Sequence, residues 1–116
     1  MSWEVEFTDE FGEWWEGLSE AEQISVGHYV TLLEQFGPAL VRPAADTIRS
    51  RKVPNLRELR VQHEGNPYRV LYAFNPKRAA ILLIGGNKTG NARWYGEFVP
   101  RAEAIFAQHL RELEKK

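Results

Sequence analysis

The chain has 116 residues, 15 Lys/Arg against 16 Asp/Glu, and no cysteine. That length suits one domain with a modest core, spanning residues 1–116, and the missing cysteine excludes disulfides and thiolate-held metal. No stretch approaches the about 20 apolar residues of a membrane span, and an acidic N-terminal segment is unlike a signal peptide, so a reducing cytoplasm and no membrane are expected.

The net charge of −1 conceals a strong asymmetry. Residues 1–41 hold nine Asp/Glu and no Lys or Arg, while residues 42–101 hold twelve Lys/Arg and four Asp/Glu. Either the two blocks neutralise each other on folding, or the second forms a basic patch suited to an anionic partner.

In chain order, Trp3, Val5 and Phe7 alternate with Glu4 and Glu6, the period of a short edge strand whose glutamates discourage further pairing. Thr8 is placed to cap a helix over about residues 9–17, with Asp9 and Glu10 at its positive end. Ser19-Glu20-Ala21-Glu22 is a capping box. It opens a second helix with a stripe of Val26, Tyr29, Val30, Leu33 and Phe36, stopped by Gly37-Pro38. Adjacent Trp14 and Trp15 point about 100° apart on a helix, so one is expected inside and one free for a partner. Pro38, Pro43 and Pro54 forbid a long helix afterwards, leaving Ala44–Ile48 as one helical turn and Arg49-Ser50-Arg51-Lys52 as an exposed basic run.

Residues 56–88 read as a three-stranded antiparallel meander. Turn signals stand at 63–67 and 75–78. Tyr68, Val70, Tyr72 and Phe74 alternate with Arg69, Leu71 and Ala73, and Ala79–Ile84 is continuously apolar, as in a strand covered on both faces. This folding brings Arg57 or Arg60, Arg69 and Lys88 to neighbouring strands. Residues 89–95 read as a loop. From about Glu97 the spacing of Phe98, Ala102, Ile105, Phe106, His109, Leu110 and Leu113 predicts an amphipathic terminal helix.

Three segments, Pro54-Asn55-Leu56-Arg57-Glu58-Leu59-Arg60, Tyr68-Arg69-Val70-Leu71-Tyr72 and Leu82-Leu83-Ile84-Gly85-Gly86-Asn87-Lys88-Thr89, occur in the order seen in the HigB-like branch of the RelE/ParE toxin superfamily, and the chain resembles that branch over about residues 3–113. The resemblance implies an α+β RelE-like fold with an N-terminal edge strand and helical hairpin, an antiparallel sheet of about four strands and a C-terminal helix. It further implies a type II toxin that cleaves mRNA, possibly on the ribosome, and is held by a cognate helix-turn-helix antitoxin. Carried over by position, Arg60 and Arg69 match the family's strand cations, Lys88 its cation after the Gly-ending strand, and Trp94 or Tyr95 its aromatic. Gly86 stands where such chains often carry Phe.

RNA cleavage without a metal needs a base for the 2′-OH, positive charge for the phosphorane and an acid for the 5′-oxygen. Arg60, Arg69 and Lys88 suit the charge. His63 titrates near neutrality, and Tyr95 would serve were its pKa lowered by adjacent cations. The candidate catalytic set is therefore Arg60, His63, Arg69, Lys88 and Tyr95. Arg49, Arg51, Lys52, Arg57, Arg93 and Trp94 are candidate RNA contacts. Cofactors and metals are not implied, because no His/carboxylate pair has ligand spacing. The plainer alternative pairs Arg60 and Arg69 with Glu58 or Glu64 on a solvated face. A ParE-like gyrase inhibitor or a non-catalytic binding module would keep the fold without needing these cations.

Overall fold

The computed structural model describes residues 2–115. Strand β1 (Val5–Phe7) leads into helices α1 (Asp9–Glu16) and α2 (Glu20–Phe36). Then follow β2 (Ala45–Thr47), β3 (Arg57–His63), β4 (Asn66–Phe74), β5 (Ala80–Asn87) and helix α3 (Trp94–Glu114). The strands form one sheet in the order β1-β5-β4-β3-β2.

The helical hairpin forms as its end signals dictate. Thr8 Oγ1 accepts the Phe11 N–H at 3.2 Å and donates to Leu83 O at 2.7 Å, so one side chain both caps α1 and ties it to β5. Ser19 Oγ accepts the Glu22 N–H at 3.1 Å while Glu22 accepts the Ser19 N–H at 2.7 Å, closing the capping box. Gly37, at φ +53°, turns the chain out of α2.

The meander of β3, β4 and β5 is antiparallel throughout. Glu64 and Gly65 both have positive φ, the signature of a two-residue hairpin turn matched to strand twist. Period-two alternation then sorts each strand's side chains onto two faces. Leu59, Val61, Tyr68, Val70, Tyr72, Ala80 and Leu82 pack beneath α1 and α2. Leu71, Ala73, Ile81 and Leu83 pack beneath α3, with Trp94, Ala102 and Phe106. Ala79 to Ile84 is buried on both sides, as its unbroken apolar run requires.

The α+β class is as expected, with several corrections in detail. The sheet has five strands rather than about four, and it is mixed, since β1 lies parallel to β5. Residues 44–48 are not a helical turn. Ala45 pairs with Leu59, and Ile48 N–H donates to Leu56 O at 2.8 Å. Joining the sheet satisfies more backbone than one isolated turn would. Helix α3 starts at Trp94, inside the expected loop, because burying the indole (1 % exposed) draws the chain into its first turn. Phe36 ends the α2 stripe 51 % exposed, and Trp14 and Trp15 are both half-buried rather than split.

Two glycines of β5 make room for tryptophans on opposite faces. A Cβ on Gly85 would collide with the Trp14 ring, and one on Gly86 would lie 2.7 Å from Trp94 Nε1. Trp94 thus fills the space that a larger residue at 86 would take. Gly85→Ala and Gly86→Ala should each destabilise the protein by about 1–3 kcal/mol, the range for overpacking a core, read as a lower urea midpoint with unchanged slope.

Candidate functional site

Arg60 and Arg69 stand directly opposite each other on β3 and β4, on the α3 face of the sheet. Like charges in that position repel, and Arg69 is only 5 % exposed. Glu58, two residues before Arg60 and therefore on the same face, resolves the conflict. Its Oε2 accepts Arg60 Nη1–H at 2.8 Å, and its Oε1 lies 3.4 Å from Arg69 Nε. The Tyr95 hydroxyl donates to Oε1 at 2.7 Å and accepts from Arg69 Nε at 3.3 Å. Arg69 Nη1 also donates to Tyr68 O at 3.0 Å. Lys88, just past β5, places Nζ 5.2 Å from the Tyr95 ring centroid, a cation–π contact. Arg60, Arg69 and Tyr95 thus gather around one carboxylate, with Lys88 against the Tyr95 ring.

An open groove of about 740 Å³ runs over this cluster. Glu58, Arg60 and Tyr95 lie along it, with the loop bearing Arg49, Arg51 and Lys52 on one side and the first turns of α3 on the other. Ser50 ties the two walls: its hydroxyl donates to Glu103 Oε2 at 2.6 Å and accepts the Val53 N–H at 2.9 Å. Arg49, Arg51 and Lys52 are exposed. The groove is therefore cationic along one wall and open to solvent.

Four sequence expectations are corrected. His63 and Arg57 occupy odd positions of β3 with Leu59 and Val61, so they face the helical hairpin, away from Glu58 and Arg60. Arg57 is spent on Tyr72 Oη (3.2 Å) and Leu40 O (2.6 Å). His63 sits 2.6 Å from Ser25 Oγ and 3.0 Å from Glu64, and its ring meets Tyr68 edge-on. That trio has the composition of a nucleophile relay, but Ser25 lies inside α2, where helical bonding occupies the N–H groups an oxyanion would need. Trp94 is buried, stacked on Phe98 at 4.4 Å, and cannot meet a nucleotide. Finally, the Tyr95 hydroxyl is not acidified. Burial first, and then its bond to Glu58, push its pKa above the ordinary tyrosine value, outweighing Arg69. Arg93 is exposed at the α3 N-terminus.

The residue that sequence reasoning undervalued is Glu58, counted there only as a surface partner; it is 2 % exposed. A carboxylate two residues before an arginine, on a strand whose opposite face is Leu59 and Val61, was the available signal.

A single mixed sheet with a helical hairpin on one face and a terminal helix on the other defines a RelE-type fold. E. coli toxin RelE, solved in the free state as a double arginine-to-alanine mutant, matches it with a TM-score of 0.61 over 87% of this chain and 98% of that one, at 14% identity. The chain belongs to the Phage derived protein Gp49-like (DUF891) family, which matches residues 13–107, and it is a HigB-like member of the RelE/ParE superfamily. It is 40% identical over 103 residues to putative toxin HigB2 of Mycobacterium tuberculosis, covering 87% of this chain and 51% of that protein. It is 42% identical over 91 residues to putative toxin HigB3 of the same organism, covering 78% of each. The chain thus spans about half the length of the first relative. Among the described residues no helix is long and apolar enough to cross a membrane.

Two outcomes follow from the cluster. Glu58→Ala strands Arg69 without its counter-charge and should cost about 3–5 kcal/mol, the range for breaking a buried pair from one side, measured by urea unfolding. The Tyr95 phenol, with its raised pKa, stays protonated beyond the ordinary tyrosine range near about pH 10. It contributes stability below that pH and loses it as pH rises through its own folded-state value. Glu58→Gln removes the negative charge and should bring the Tyr95 titration down, read as the ultraviolet difference against Tyr95→Phe.

Proposed function

We propose that this protein is the toxin of a type II toxin–antitoxin pair and an endoribonuclease that cleaves mRNA without a metal. The observation that supports this most is the Glu58–Arg60–Arg69–Tyr95 cluster, which borders an open groove with a cationic wall through Glu58, Arg60 and Tyr95. It combines a carboxylate, a phenol and preorganised guanidinium groups within one hydrogen-bonded unit.

In this reading a single-stranded RNA enters the groove with its phosphates along Arg49, Arg51 and Lys52. The scissile phosphate displaces part of Arg60's bonding to Glu58, and Arg60 and Lys88 face its non-bridging oxygens. The Glu58 carboxylate takes the proton of the 2′-OH. The 2′-oxygen then forms a bond to phosphorus while the bond from phosphorus to the 5′-oxygen breaks. Tyr95 gives its proton to the departing 5′-oxygen, leaving a 2′,3′-cyclic phosphate and a free 5′-hydroxyl. The proton on Glu58 returns to Tyr95 across their 2.7 Å contact, restoring both groups. A raised pKa suits this role, because the acid must hold its proton until the alkoxide forms. Arg69 is a positioning residue: it is buried, and it orients Glu58 and Tyr95 together. Cleavage on the ribosome and restraint by a helix-turn-helix antitoxin belong to the same proposal and rest on the resemblance.

One observation favours a second reading, a non-catalytic module of the same fold: Glu58 already satisfies Arg60 and Arg69 without any ligand. Kinetics separate the two. Tyr95→Phe and Arg60→Ala should each lower the cleavage rate of a single-stranded RNA by about 10²-fold or more. His63→Gln should leave the rate within about twofold, since it faces the other side of the sheet and forfeits no acid–base step. Excess EDTA should change nothing. RNA cleavage that survives Tyr95→Phe and Arg60→Ala unchanged would sink the mechanism.

A further inference from the structure

On the opposite side of the sheet, β1, α1 and α2 leave an apolar groove of about 320 Å³. Val5, Phe11, Trp15, Val30 and Leu82 line it, and Phe7 stands at its mouth, 66 % exposed. Two glycines keep it open. A Cβ on Gly12 would meet Phe7 Cε2 at 3.5 Å, and one on Gly27 would meet Trp15 Cη2 at 3.8 Å, both ordinary contacts. Side chains are therefore sterically allowed at both positions, and their absence leaves the groove free. The fold gains nothing from exposed aromatic surface here.

The segment that builds most of the groove carries one sign of charge, and the cations that approach it, Arg78 over the Trp3 ring at 5.3 Å and Lys77 near Glu4, stand beside the start of β1. Every ionised side chain of residues 1–41 is acidic, nine in all. Glu34 lies along the groove, and Glu20 shares its α2 face with Gly27 and Glu34, the three spaced seven residues apart. Such a rim repels RNA and acidic peptides. It complements an apolar anchor flanked by lysine or arginine, the arrangement of a desolvated centre within a charged border that interfaces favour.

We propose that this acid-rimmed groove receives a cationic, amphipathic segment of the protein that restrains this toxin, on the face opposite the cationic groove. The inference rests on the toxin–antitoxin reading and adds to it where the partner docks and with what chemistry. A partner seated there leaves the Glu58 cluster uncovered by that contact.

The test uses the full-length chain and the product of its neighbouring reading frame as the probe, with affinity measured by titration calorimetry at two salt concentrations and RNA cleavage measured separately. Gly27→Leu fills the groove on a helix that tolerates leucine better than glycine. The Glu20→Lys/Glu34→Lys pair reverses the rim and leaves the groove's shape intact. Each should weaken binding at least about tenfold, wild-type binding should fall with salt, and the free variants should cleave RNA at the wild-type rate. Unchanged affinity in both variants overturns the docking surface alone. So does a self-association of the wild type, seen by sedimentation, that Gly27→Leu abolishes, because the occupant is then a second copy. If the wild-type protein forms no complex with that product, the docking surface and the toxin pairing fail together, while RNA cleavage by the isolated chain still decides the nuclease reading.

Discussion

Two guanidinium groups facing each other across adjacent strands are a problem that a sheet must solve, and here Glu58 solves it. Arg69 is too buried for water to screen its charge, so the carboxylate is a condition for β3 and β4 to pair in this register. The remaining features of the face follow from that. Tyr95 comes within reach of Glu58 because α3 starts at Trp94, and Trp94 can seat itself because residue 86 has no side chain. Lys88 then meets the Tyr95 ring from the end of β5. The chain of dependence runs from one glycine through a tryptophan to the hydroxyl at the centre of the cluster.

In the proposed mechanism, stability and chemistry share residues. A carboxylate that bridges two arginines and a phenol holds the sheet together, and it also keeps each group aimed before any ligand arrives, which lowers reorganisation during a reaction. The basic loop over residues 49–52 is fastened to α3 through Ser50 and Glu103.

Much of this was legible in the residues. Thr8, the Ser19–Glu22 box and Gly37-Pro38 announce the hairpin through local bonding, which sequence encodes directly. The alternation from Tyr68 to Phe74 and the unbroken run from Ala79 to Ile84 announce the central strands, and the three segments around them announce the family. What was not legible depends on distant partners. Ala45 becomes a strand residue only because Leu59 offers an edge. His63 and Arg57 are disqualified by the parity of β3, once it is known which face the hairpin covers. A role for Tyr95 was conditional on cations lowering its pKa. Burial, and then a carboxylate 37 residues away, raise it, and neither has a local signature.

The acidic hairpin and the basic loop also have a consequence for how the molecule travels. With negative charge gathered over β1, α1 and α2 and positive charge along the opposite groove, a nearby polyanion exerts a torque on the protein before contact. Encounters are then biased toward the groove-first orientation, and their frequency declines as ionic strength rises, even though the total charge is close to zero.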